Sequence, residues 1–345
     1  MTRQIKVGGV LIGGGAPITI QSMTNTPTQD TAATLEQIRK LAAAGCQIVR
    51  VAVPHMEAAR AVGKIKENSP IPVVVDIHFD YKLALEAVAA GADKVRINPG
   101  NIGGEDRVKA VADACRQKNI PIRIGVNGGS LEKSILAKYG AVCPEAMVES
   151  AFGHIRLLEK FDFTDICVSL KSSSVPITMR ACQLMAQRGD YPLHIGVTEA
   201  GTLRMGTLKS AVGVGGLLAL GIGDTMRVSL SADPVEEIYA AREILKAAGI
   251  HREGPELVSC PTCGRTRIDL IALANEVEER LKQVDKPITV AVMGCAVNGP
   301  GEAAAADCGI AGGIGEGLLF QKGEIIKKVP QERLVDELFT LIETL

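Results

Sequence analysis

The chain has no tryptophan, and only 3% of its 345 residues are aromatic. Its formal net charge is −1. So neutral a chain with so few rings offers neither the basic face nor the stacking platforms that nucleic acid requires. Long hydrophobic runs are missing too. The apolar stretches at 7–20 and 210–223 are Gly-rich and 14 residues each, too short to span a bilayer. The first follows Arg3 and Lys6, as the core of a signal peptide would, but it contains Gly-Gly-Gly-Ala-Pro and no A-x-A site, so export is not expected. The nine cysteines are odd in number and lack framework spacing, which fits a reducing cytoplasm rather than a disulfide scaffold. At 46% hydrophobic and 22% charged residues, the chain is ordinary for a soluble enzyme and long enough for two domains.

Short β-branched runs recur at 18–23, 47–53, 72–79, 94–98, 121–126, 165–170, 193–198 and 225–230. Between them lie Ala-, Leu-, Glu- and Lys-rich stretches with helical period, such as Leu35-Ile38-Leu41 and Leu83-Ala84-Ala87-Val88. Gly45, Gly91, Gly189 and Gly221 follow them as C-caps do. Eight strands alternating with helices predict a (β/α)₈ TIM barrel over 1–250. An open doubly wound sheet is less suitable, because no G-x-G-x-x-G follows a first strand; Gly213-Val214-Gly215-Gly216 is expected to be a helix packed closely on a neighbour. His251-Arg252-Glu253-Gly254-Pro255 breaks the pattern, which suggests a linker at 251–257 and a small α+β domain at 258–345. That domain is expected to hold a strand at 288–293 and a helix burying Ile268, Ile271, Ala274, Val277, Leu281 and Val284. A Gly-rich turn region, a hairpin at 317–329 and a closing helix marked by Leu334, Leu338 and Leu341 would follow.

Several barrel strands interrupt an apolar run with one cation: Arg50, Arg96, Arg123 and Arg227, with Lys171 at a strand end. A charge in an apolar strand is costly unless paired, and the obvious carboxylates are mainly Asp76 and Glu199. In this fold the C-terminal strand ends build the active site. The surplus positive charge there predicts an anionic ligand such as a diphosphate, whose geometry suits Arg and Lys. Asn127-Gly128-Gly129-Ser130 after the fifth strand suggests a phosphate nest with Ser130 capping a helix. Asp76 and His78 share a face at the end of the third strand, and His194 lies early in the seventh. Glu199 is the best barrel-side candidate for an acid or base, and Gln21, Thr24 and Asn25 could bind hydroxyls.

The second domain carries Cys260 and Cys263 in C-P-T-C-G-R, then Cys295 32 residues later in M-G-C-A-V-N-G-P-G-E. The turn at Asn298-Gly299-Pro300-Gly301 would fold Glu302 back towards Cys295. Soft thiolates select zinc, copper(I) or an iron–sulfur cluster. Cys308 could complete a structural zinc site, which would make the chain a zinc-stabilised lyase or isomerase acting on a phosphorylated substrate. Cys143 is expected to be incidental.

The segments V-G-G-V-L-I-G-G-G-A-P-I-T-I-Q-S-M-T-N-T-P-T, K-V-R-I-N-P-G-N-I-G, G-V-N-G-G-S-L, H-I-G-V-T-E-A-G, G-I-G-D-T-M-R-V-S-L-S-A-D-P-V-E-E-I, C-P-T-C-G-R and G-C-A-V-N-G-P-G-E-A run in order from residue 7 to residue 303. With them the chain closely resembles the bacterial 4-hydroxy-3-methylbut-2-enyl diphosphate synthase family. The resemblance implies reductive ring opening of a cyclic diphosphate in isoprenoid biosynthesis. It implies a [4Fe-4S] cluster on Cys260, Cys263, Cys295 and Glu302. It assigns diphosphate binding to Arg50, Arg96, Arg123 and Lys171, with Asn127 and Arg227 at the same mouth. Glu199, Asn298, Glu302 and His78 would serve catalysis. Flavodoxin or ferredoxin would supply electrons, and a homodimer would set the cluster of one subunit over the barrel of the other.

Overall fold

The computed structural model describes residues 1–98, 101–250, 254–295, 301 and 303–345. They form two compact units, Met1–Ile250 and His251–Leu345.

The first unit opens with a hairpin, β1 (Ile5–Val7) and β2 (Val10–Ile12). Its two-residue loop is Gly8-Gly9, with Gly8 at φ +56°, a backbone that glycine adopts at little cost. Eight parallel strands follow: β3 (Thr19–Met23), β4 (Ile48–Ala52), β5 (Val73–Asp76), β6 (Lys94–Ile97), β7 (Ile122–Asn127), β8 (Ile166–Lys171), β9 (His194–Ile195) and β10 (Thr225–Met226). They hydrogen-bond in the order β8-β7-β6-β5-β4-β3-β10-β9, and a parallel bridge between Val168 and Leu193 joins the two ends. The result is the expected TIM barrel. Helices start where polar caps dictate: the carboxylates of Asp30 and Asp80 and the Ser174 hydroxyl accept from the first-turn amides of Ala33, Lys82 and Ile177. The Cys143 sulfur does the same for Ala146, so that thiol is a helix cap.

Both faces of a parallel strand are buried, so alternate side chains enter different environments. Val49, Val51, Val73, Val75, Val95, Ile97, Ile122 and Ile124 join the apolar layer beneath the helices. Their neighbours point inward. At the N-terminal end the interior is apolar: Ile48, Val74 and Cys167 pack against Ile5, Val7 and Ile12 of the hairpin. Above that plug the inward positions are polar or charged. The segment 211–219 is helical, as expected; a Cβ on Gly213 would lie 2.7 Å from Val197 Cγ2 and one on Gly216 2.8 Å from Met179 Cε.

The second unit is a five-stranded sheet, β11 (Glu256–Ser259), β12 (Thr289–Met293), β13 (Cys308–Gly312), β14 (Glu316–Gln321) and β15 (Glu324–Pro330) in that order. The first three are parallel and the last two antiparallel. β11 begins inside the stretch expected to be linker, with Glu256 and Leu257 already paired to Thr289 and Val290. The segment expected to be Gly-rich turn contains β13, a fully buried central strand. The helix Leu270–Leu281 buries Leu270, Val277 and Leu281, whereas Ile271 is 63% exposed: its position lies off the buried stripe. The helix Leu334–Thr344 closes the sheet with Leu334 and Leu338 inward.

Candidate active site

Asp76 is the hub of the barrel mouth. Arg96 Nη1 lies 3.0 Å from its Oδ1, Arg50 Nε 3.6 Å and His78 Nε2 3.5 Å from its Oδ2. Burial alone would raise this carboxyl, but Arg50, the His78 hydrogen bond and Arg96 together hold it well below the usual carboxylate range. The register runs the charges side by side: Asp76 opposite Arg96, Arg96 opposite Arg123, and Asn127 opposite Lys171.

The cations outnumber their partners. Arg123 is 1% exposed, and neither its Nε nor its Nη1 has a hydrogen-bond partner. Burial, then repulsion from Arg96, lowers its guanidinium to about 10. Burial followed by Arg123, Arg50 and Arg227 drives Lys171 well below an ordinary lysine. His194 is pushed down by burial and by Arg123, Lys171 and Lys94, so it stays neutral. Both ends of the buried Gln21 amide and the hydroxyl of Thr24 lack partners, while Asn25 is tied to Gln37 by a 2.7 Å hydrogen bond. Unpaired buried donors around excess positive charge suit an anion with several oxygens.

Two strand glycines make room for this crowd. A Cβ on Gly125 would collide with the Arg96 guanidinium, 2.8 Å from Nη2. One on Gly196 would lie 2.7 Å from Lys171 Nζ. Glycine inside a strand often marks such an approach, a signal that the run of β-branched neighbours obscured.

Several expectations need correction. The second carboxylate among the cations is Glu237, from the helix Pro234–Ala247, and not Glu199. Glu199 is exposed and forms none of these ion pairs, although its φ of +52° is unusual for a non-glycine residue and sits just beyond β9. Ser130 caps no helix; its hydroxyl donates to Asn127 O at 3.4 Å within a 3₁₀ turn. Lys94, at the start of β6, was missed: it is wholly buried, its Nζ has no partner, and burial lowers it to about 8.

In the second unit, Cys260 directly follows β11, and Gly294 alone separates Cys295 from the end of β12. These strands are parallel neighbours, so both thiols leave the same, C-terminal end of the strands. The amide of Gly294 donates to Cys260 Sγ at 3.1 Å, which brings the Cys295 loop against the first thiol. Cys263 is exposed, and hydrogen bonds from Arg265 and Thr266 lower its thiol. Backbone amides aimed at sulfur and a stabilised thiolate suit a thiolate-bound group. Four cysteines elsewhere contrast with Cys263: burial raises Cys46 to about 11 and Cys115, Cys182 and Cys308 to about 12. Cys308 begins β13, opposite Val290, so it lies at the other end of the parallel strands from Cys260 and Cys295. It is no candidate for a fourth thiolate. Among the described residues no three acidic, cysteine or histidine side chains converge on a single-ion site; an iron–sulfur cube spaces its ligands more widely than one ion does. Asn298 and Glu302 lie outside the described residues.

Residues 2–242 match the GcpE TIM-barrel domain and residues 256–344 the GcpE protein C-terminal domain. The chain is 59% identical over 344 residues to 4-hydroxy-3-methylbut-2-en-1-yl diphosphate synthase (flavodoxin) of Clostridium acetobutylicum, covering 100% of this chain and 99% of that protein. The proteins of the same name from Geobacter sulfurreducens (61% identical, 99% and 97% covered) and Bacillus subtilis (59%, 100% and 91%) are similarly related. Among solved structures, the barrel resembles Yersinia pestis dihydropteroate synthase (TM-score 0.52, 12% identity, covering 73% of this chain and 100% of that one). It also resembles the phospho-2-dehydro-3-deoxyheptonate aldolase of Thermotoga maritima (TM-score 0.51, 12% identity, 72% of each chain). At such identity these two likenesses speak of fold alone.

Proposed function

The chain belongs to the GcpE family, and on that premise we propose that it opens the ring of 2-C-methyl-D-erythritol 2,4-cyclodiphosphate. The reaction takes up two electrons with the protons that carry the departing oxygen away as water, and yields (E)-4-hydroxy-3-methylbut-2-enyl diphosphate. The observation that carries this reading is the barrel mouth itself: buried cations, some with unpartnered donors, that outnumber the two carboxylates Asp76 and Glu237.

Arg96, Arg123 and Lys171 hold the diphosphate, with Arg50, Arg227 and Asn127 completing the ring of donors. Each of these cations gains a counter-charge when substrate binds, and that gain offsets the desolvation they already bear. The unpartnered amide of Gln21 and hydroxyl of Thr24 orient the carbon skeleton through its hydroxyl groups. Glu199 handles protons, Asn298 helps by hydrogen bonding, and His78 joins them through its contact with Asp76.

The family requires an iron–sulfur cluster. We assign it as [4Fe-4S], held by Cys260, Cys263, Cys295 and Glu302, and the thiol environments described above fit that role. When bound, the cluster supplies electrons and a Lewis-acidic iron for C–O cleavage. Flavodoxin, which the relatives' name specifies, is the electron donor we assign, with ferredoxin as the substitute. Nine cysteines, odd in number and without framework spacing, support a cytoplasmic setting, and no helix among the described residues is long and apolar enough to cross a membrane. We further propose a homodimer in which the cluster of one subunit serves the barrel of the other.

The test is turnover by the anaerobic, cluster-loaded protein with reduced flavodoxin. Ring-opened allylic diphosphate formed only with reductant present is expected. Turnover without any reductant would overturn the reductive reading. Mixed dimers of Arg96→Gln and Cys295→Ser chains should regain activity that neither variant has alone; inactive mixed dimers would count against the shared site.

A further inference from the structure

Arg227 follows β10 directly, and its guanidinium enters a hostile field: Arg50, Arg123 and Lys171 all repel it. A long cation in that position would swing out to solvent unless something held it. Glu237 does the holding. It stands one turn into the helix Pro234–Ala247 and is 3% exposed. Its Oε2 accepts from Arg227 Nε at 3.1 Å and its Oε1 from Nη2 at 3.0 Å, a side-on bidentate pair.

The same carboxylate is fixed from two other directions. The Ser22 hydroxyl on β3 donates to Oε2 at 2.9 Å, and the Leu230 amide donates to Oε1 at 3.1 Å. Four donors on one carboxylate leave it little freedom. With Nε and one Nη2 hydrogen engaged, the remaining donors of Arg227 point away from Glu237. Nη1 lies 3.7 Å from Met23 Sδ, the sulfur that Arg50 Nε and Nη2 approach at 3.1 and 3.0 Å. The edge of Arg227 that Glu237 leaves unengaged therefore faces the Arg50 side of the mouth, with the Met23 thioether against it.

We propose that Glu237 is a positioning residue for the reaction: by anchoring Arg227 from behind, it presents the free guanidinium edge to the substrate diphosphate. This rests on the reading that Arg227 binds that diphosphate. Glu237 itself touches no substrate. It also accounts for a buried carboxylate on a helix whose other first-turn acid, Glu236, only complements the helix dipole.

The experiment is a double-mutant cycle in the cluster-loaded full-length enzyme, with KM for the cyclic diphosphate, kcat and the melting temperature measured for Glu237→Gln, Arg227→Ala and the pair. The amide of Gln cannot accept from all four donors. Glu237→Gln is expected to raise KM on the order of tenfold with kcat nearly unchanged, because uniform binding is lost. In the Arg227→Ala background the same change should add nothing to KM. If the two KM effects multiply, or Glu237→Gln leaves KM alone while Arg227→Ala raises it, the positioning role is overturned. If Arg227→Ala keeps the wild-type KM, the diphosphate role of Arg227 falls first and the proposal falls with it. Should Glu237→Gln fail to fold, Glu237→Asp carries the same cycle, since it keeps the charge and shortens the reach.

Discussion

Gly125 exists for Arg96: any side chain on β7 at that position would occupy the space of the Arg96 guanidinium, which itself leans 3.0 Å from Asp76. Gly125→Ala is therefore expected to displace Arg96 and raise KM for the diphosphate substrate about ten- to hundredfold, the loss of one or two charge-assisted hydrogen bonds. Steady-state kinetics beside a melting curve checks this. An unchanged KM would mean that Arg96 contributes nothing to substrate binding.

Lys94 makes a separate prediction, about stability. Burial lowers its ammonium from an ordinary 10.5 to about 8. Between those values the unfolded chain binds more protons than the folded one, so this group makes stability rise with pH across that window. Below about pH 8 the penalty is fully present, on the order of 3 kcal/mol at most. Lys94→Met is expected to be more stable than the natural chain at pH 7, with the gain fading by about pH 10. Urea unfolding at several pH values measures it. A gain independent of pH, or a loss at pH 7, would contradict the burial account.

Cys308 and Cys295 should part company. Cys308 lies in the apolar core at the far end of the parallel strands from Cys260. Cys308→Ala is expected to keep full iron and sulfide content and to lose about 1 kcal/mol of stability from the small cavity. Cys295→Ser should lose most of its cluster. Parallel metal analysis of the two variants decides, and cluster loss in Cys308→Ala would contradict the ligand set.

Much of this was legible in the sequence, for identifiable reasons. The barrel strands are β-branched runs bounded by turn residues, and parallel strands buried on both faces take that form. Their lone arginines stood out because an unpaired charge in such a run needs a cause. Other features gave no local signal. The opening hairpin is interleaved with glycines, so Ile5, Val7 and Ile12 do not read as a plug until the barrel exists to be filled. β13 reads as turn because it carries Gly309 and Gly312, yet those glycines let Phe320 and Ile268 pack against the strand. Lys94 looks like a charged residue flanking a strand, and only the inward register reveals it as buried. Glu237 resembles an ordinary first-turn acid; its partner Arg227 is ten residues away in sequence and is brought to it by the return of the chain from β10 into the helix.

The most direct test of the central claim is iron and acid-labile sulfide analysis of the anaerobically purified protein, read with its visible spectrum. The account predicts about four irons and four sulfides per chain and a broad brown absorbance. Near-stoichiometric zinc with neither sulfide nor colour, persisting after attempted cluster reconstitution, would contradict it.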